Sequence, residues 1–92
     1  MIIAGSSRCA KSVLERLRIG TYLDVVAEPE NPYDKDAIAL LLDGEKVGYI
    51  AKKDHLAYVT CLKLGRKVYA VITGIIEDAH STKYEFETWF SS

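Results

Sequence analysis

The sequence predicts an α+β domain that is mainly β: a small curved sheet or barrel of about six strands, with two short helices over its ends. Three observations predict it. Six short runs rich in β-branched and aromatic residues are separated by Gly, Pro, Asn and Asp. Two stretches between them space their apolar residues at helical intervals instead. The chain has 92 residues, one domain by length. A domain this small buries roughly 60–65% of its unfolded surface, so its core is modest.

Taken in order, Ile2 to Gly5 read as a short strand. The segment "SSRCAKSVLERLRIG" then carries helical marks. Ser12 and Glu15 fit a capping box, Val13, Leu14 and Leu17 form a stripe, and Gly20 suits a C-terminal cap. "TYLDVVAE" is rich in β-formers and reads as a strand. "PENPYDKD" is a loop by composition. Pro29 and Pro32 push Glu28 and Asn31 into extended conformations, while Asn31 and Asp34 can each bond nearby backbone and fix a turn. "AIALLLDGEKVGYIA" is a hairpin with Asp43-Gly44 at its tip. In the next helix Asp54 is the N-cap, Leu56, Val59 and Leu62 form the stripe, and Gly65 ends it. "RKVYAVITGII" and "TKYEFETWF" are strands joined by "EDAHS". In the last strand Tyr84, Phe86 and Phe90 share one face, and Lys83, Glu85, Glu87 and Trp89 the other. The element order is β-α-β-β-β-α-β-β, with Ala37, Ile38, Val47 and Ile50 in the core.

Composition excludes several classes. The net charge is -1, which argues against a generic basic duplex binder. The charge is segregated, however. Asp24 to Glu45 hold seven acids and one base, and Lys46 to Lys67 hold six bases and one acid. Cys9 and Cys61 lie far apart without a CxxC pair, and His55 and His80 complete no metal-ligand spacing. Two free thiols in a reducing compartment, no metal and no cofactor are expected. The start of the chain is too short and polar for a signal peptide, and no apolar run approaches ~18 residues. A cytoplasmic protein with no membrane segment is expected.

One stretch carries more. "EPENPYDKDAIALLLDGEKVGYIAKK" resembles the signature of HIRAN domains. The matching residues are Glu28, Pro29, Asn31, Pro32, Tyr33, Asp34, Ala37, Ile38, Gly48, Tyr49 and Ile50. They cover about a quarter of the chain, and the element order extends the resemblance to a single HIRAN-like domain over residues 1–92. The resemblance implies a β-barrel related to OB-like and SH3-like folds. It also implies binding of single-stranded DNA with capture of a 3′-hydroxyl end, through Tyr33, Asp34 and Lys52, with Tyr49 at the aromatic position before that lysine. The sequence departs from the family where an aromatic element often follows the first strand. "IAGSSRCAKS" has none, and Arg8 is the candidate replacement by guanidinium stacking. Asp36 stands where Asn is frequent, and Ala51 where Pro is frequent.

These residue types suit such work. An aromatic face stacks on any base for about 1–3 kcal/mol. The Asp34 carboxylate would accept a bond from a terminal hydroxyl and repel a terminal phosphate. Lys52 and Lys53 can neutralise a phosphate or two. Structural roles compete at each position. Tyr33 serves stacking or packing, and Asp34 serves the turn, a ligand or both. His55 reads as a surface residue and Trp89 as a half-exposed contact. Glu28, Glu30, Asp34 and Asp36 are too dispersed for a metal or catalytic site, so no enzyme is expected.

The leading expectation is a non-catalytic nucleic-acid-binding module for single strands or DNA ends, with any helicase or nuclease a separate partner. The alternative is a single-domain inhibitor of phage type. It would bind a host nucleoprotein complex such as a CRISPR effector, with a secondary basic patch of Lys63, Arg66 and Lys67 beside Lys52 and Lys53. Oligomeric state stays open.

Overall fold

The computed structural model describes residues 1–91. Five antiparallel strands form one sheet in the order β3-β2-β1-β4-β5. They are β1 (Tyr22–Ala27), β2 (Ile38–Leu42), β3 (Glu45–Tyr49), β4 (Lys67–Glu77) and β5 (Thr82–Ser91). The helices are α1 (Lys11–Leu14) and α2 (His55–Lys63), each preceded by a 3₁₀ turn, at Ser6–Arg8 and Lys52–Asp54.

The sixth strand expected at Ile2–Gly5 is instead two isolated bridges, and their position explains the curvature. Ile2 bridges to Glu85 on β5, and Ala4 bridges to Tyr49 on β3. Those strands are the two edges of the sheet. Ile3 N–H donates to the Tyr84 carbonyl at 2.9 Å, while Ala4 and Tyr49 exchange backbone bonds at 2.9 and 2.8 Å. The N-terminal segment therefore spans the gap that a barrel leaves open, which removes edge length that would otherwise template pairing.

The core lies inside this curl. Leu23 and Val25 of β1, Ile38 and Leu40 of β2, Val47 of β3, Ala70 and Ile72 of β4 and Phe86 of β5 are all buried. Alternation along β1 leaves Tyr22, Asp24 and Val26 on the outside. Ala37, Ile38, Val47 and Ile50 are buried as the sequence predicts.

Local signals succeed where a turn needs a special backbone. Asp43 (φ 50°) and Gly44 (φ 82°) both have the positive φ of a type I′ hairpin turn. Gly65 (φ 79°) ends α2: its N–H bonds the Leu62 carbonyl and that of Arg66 bonds Cys61, a Schellman motif.

Elsewhere tertiary packing overrides local signals. The expected Ser12–Glu15 capping box does not form. Ala10 is the N-cap of a four-residue helix, with no side-chain cap bond. That helix stops well before Gly20, because the Arg18 guanidinium takes the carbonyls of Glu15 and Leu17 and the Gly20 N–H bonds Ile72 across the fold. Asp54 is the N-cap of α2, but its side chain makes no cap bond. The α2 stripe is also rotated from expectation. Leu56 is 81% exposed, whereas His55 and Tyr58 are buried, with Val59 and Leu62 partly covered. Phe90 lies near the sheet's end, half exposed and stacked on Tyr58.

Candidate functional site

The loop between β1 and β2 is built by Asn31. Its Oδ1 accepts the N–H groups of Tyr33 (2.9 Å) and Asp34 (3.0 Å), and its Nδ2 donates to Glu28 Oε1 at 3.0 Å. Asp34 continues the loop by accepting Asp36 N–H at 2.9 Å with Oδ1. The side chains that a turn-rich sequence offered for structure are therefore spent on the loop backbone. Tyr33 is not. Its ring is 95% exposed, so it packs on nothing and is no lid over the core.

Beneath this loop lies a cleft of about 530 Å³. The Asn31–Asp34 loop, the first 3₁₀ turn, the end of β3 and the start of α2 wall it. Arg8, Tyr33, Asp34, Tyr49 and Lys52 all line it, although they come from four separate segments. Lys53 is exposed outside the lining, Lys63 lines a different groove beside Lys35 and Asp36, and Arg66 and Lys67 line neither. The secondary basic patch is therefore not brought to this cleft.

The cleft also contains residues that sequence reasoning missed. Lys46 bridges Glu28 Oε2 at 2.7 Å, donates to the Tyr49 hydroxyl at 2.7 Å and sits 4.8 Å from the centroid of that ring. Tyr49 in turn donates to Glu28 Oε1 at 2.9 Å. Burial alone would raise the Glu28 carboxyl, yet hydrogen bonds from Lys46, Asn31 and Tyr49 hold it below the usual carboxylate range. The same pairing with Glu28, then with Tyr49, raises the Lys46 ammonium above its ordinary value. Lys46 is therefore a neutralised charge that clamps the Tyr49 ring. Burial pushes the Cys9 thiol up, against the pull of Lys46, so it remains protonated near neutral pH.

His55 is the clearest correction. Read as a surface residue, it is buried at the cleft floor. Its Nε2 lies 2.8 Å from the Ile50 carbonyl oxygen. A carbonyl only accepts, so Nε2 carries the proton. Its Nδ1 lies 3.5 Å from Asp34 Oδ2. The cleft floor thus presents an imidazole nitrogen and a carboxylate oxygen side by side. A histidine directly after a helix N-cap gives no periodic signal of burial, which is why the sequence concealed it.

Among the described residues, no group of three His, Cys, Asp or Glu is placed to hold a metal ion. No helix among them is long and apolar enough to cross a membrane.

The HIRAN domain family model matches residues 3–91. A crystal structure of a protein from Lactobacillus plantarum is similar, with a TM-score of 0.80 at 23% identity over 99% of this chain and 90% of that one. The crystal structure of the HIRAN domain of human HLTF is similar too, with a TM-score of 0.77 at 18% identity over 97% of this chain and 70% of that one. No curated protein matches the chain.

Proposed function

This chain belongs to the HIRAN domain family, and from that premise we propose that it is a non-catalytic nucleic-acid-binding module whose cleft holds the end of a single DNA strand. One observation carries the reading. A tyrosine ring 95% exposed to solvent stands at the lip of a cleft that also gathers Arg8, Asp34, Tyr49 and Lys52. A ring left in water gains nothing for the fold, but it offers a stacking face to a base.

The remaining groups divide the work. Arg8 and Lys52 offer charge to a phosphate, and the Arg8 guanidinium can stack where the family often has an aromatic. Asp34 Oδ2 is a carboxylate acceptor at the floor, 3.5 Å from His55 Nδ1. A 3′-hydroxyl can donate to that carboxylate, whereas a 3′-phosphate brings negative charge against it and is repelled.

Fluorescence anisotropy of short single strands ending in 3′-hydroxyl or 3′-phosphate tests this. Wild type should prefer the hydroxyl end. Tyr33→Ala should weaken binding by about tenfold or more, the loss of one base stack. Asp34→Asn keeps an oxygen for the Asp36 N–H but replaces the second acceptor with a donor, so it should erase the end preference. Equal binding of both ends by wild type would sink end capture. Unchanged affinity in Tyr33→Ala would remove the cleft from the site.

A further inference from the structure

The outer face of the sheet carries a second surface, apart from the cleft. Strand register lays two rows across β1, β4 and β5. Tyr22 pairs with Val71, which pairs with Glu87. Asp24 pairs with Tyr69, which pairs with Trp89. Alternation puts all six side chains on the same face. Asp24 therefore lies beside Tyr69 across the strands, and Glu87 lies beside Trp89 along β5. Tyr22 is 68% exposed and Trp89 49%, with ring centroids 6.4 Å apart. A shallow groove runs over Tyr22, Asp24, Tyr69 and Trp89 and ends at Asp43.

No lysine or arginine lines this groove, and neither Asp24 nor Glu87 forms an ion pair among the described residues. Asp43 at the far end is held by Arg16. Lys67 precedes Tyr69 on the same face but lies outside the groove. Cross-strand pairing explains why the rings lie close together. It does not explain why carboxylates without cations stand beside them on a protein of net charge -1.

From this surface we infer a docking site for a basic, arginine-bearing segment of a partner protein. A guanidinium is the group that answers both features at once. Its plane stacks on an aromatic face while its edge donates two parallel bonds to a carboxylate. A lysine ammonium can approach a carboxylate and a ring only as a point charge, without the planar stack or the paired bonds. A nucleic-acid backbone is excluded by charge, so this surface and the cleft take different partners. The inference stands without the cleft reading.

Trp89 is the single tryptophan of the chain, so its emission reports on this face alone. The experiment titrates the whole chain with an arginine-only oligopeptide and with a lysine-only oligopeptide of equal length. The arginine peptide should change Trp89 emission saturably and bind more tightly than the lysine peptide. The double variant Asp24→Lys with Glu87→Lys should bind the arginine peptide about tenfold more weakly, because the ion pairs are replaced by like-charge repulsion while the rings remain. Its circular dichroism and thermal midpoint should match wild type, because both positions are on the open face. No saturable change, equal response to the two peptides, or equal affinity in the folded double variant would each overturn the assignment.

Discussion

At the scale of single residues, the polar groups around the cleft are already committed to one another. Glu28, Lys46, Asn31 and Tyr49 form one hydrogen-bonded cluster that fixes the Tyr49 ring. The direction of its pH response follows from the shifts. The Glu28 carboxyl is lowered in the folded state, so its contribution is present above the ordinary glutamate value of about 4.3 and fades as pH falls through the lowered one. The Lys46 ammonium is raised, so its contribution is full below about 10.4 and is lost as pH rises through the raised value. Near neutral pH both are intact. Glu28→Gln should therefore cost about 1 kcal/mol at pH 7, a discounted figure because the Lys46 side chain is 39% exposed. Denaturant unfolding of both proteins at pH 7 and pH 3 checks it: the gap should be smaller at pH 3, because the advantage fades as pH falls toward the lowered value. A gap of equal size at both values would assign the loss to packing. The sequence made Glu28 legible as part of a pattern. It did not reveal Lys46 as its partner, because the two meet only when β1 and β3 lie on either side of β2.

At the scale of elements, the closure of the sheet rests on a glycine. A Cβ on Gly48 would stand 2.3 Å from Ile3 Cγ2 and 2.7 Å from the Ala4 carbonyl oxygen, and the residue has φ +150°. The N-terminal segment can therefore approach β3 closely only if that position lacks a side chain. Gly48→Ala should destabilise the domain by about 2–3 kcal/mol through overpacking and strain. Gly74→Ala is the natural contrast. Its Cβ would meet only the Glu85 side chain, which can swing aside, and its expected cost is under about 1 kcal/mol. Thermal or denaturant unfolding of the two variants decides the point, and equal costs would refute the closure argument. Elements were legible where a residue type answers a local backbone demand, as at Asp43-Gly44 and Gly65. They were misread where a distant contact sets the boundary. Ser12 and Glu15 have the right spacing for a cap, but Leu17 is needed in the core beyond the helix end, and Gly20 is drawn to Ile72. Leu56 fits a helical stripe by spacing, yet α2 turns His55 and Tyr58 inward, where their polar atoms find Ile50 and Thr88.

At the scale of the whole molecule, charge placement decides how a strand would be held. The sequence divides acids from bases along the chain, and folding separates them again by surface. Arg8 and Lys52 reach the cleft, Lys46 is cancelled by Glu28, and Lys63, Arg66 and Lys67 lie elsewhere. Asp24 and Glu87 occupy the outer face of the sheet. A chain of net charge -1 gives little long-range attraction to a polyanion, so the proposed strand binding has to rest on short-range contacts at the cleft. Counterion release then sets a measurable scale. Two cations at the site, neither in an ion pair among the described residues, should give a slope of about -1.4 for log affinity against log salt on single strands. A salt series of anisotropy titrations reads the slope directly. Lys52→Ala should halve it, while Lys63→Ala with Arg66→Ala should leave it unchanged. A slope several times steeper, falling in the second variant, would move the strand onto the α2–β4 bases and away from Tyr33. A shallow slope that depends on Lys52 would instead fit a protein that recognises the end of a strand by stacking and hydrogen bonding, with charge in a minor part.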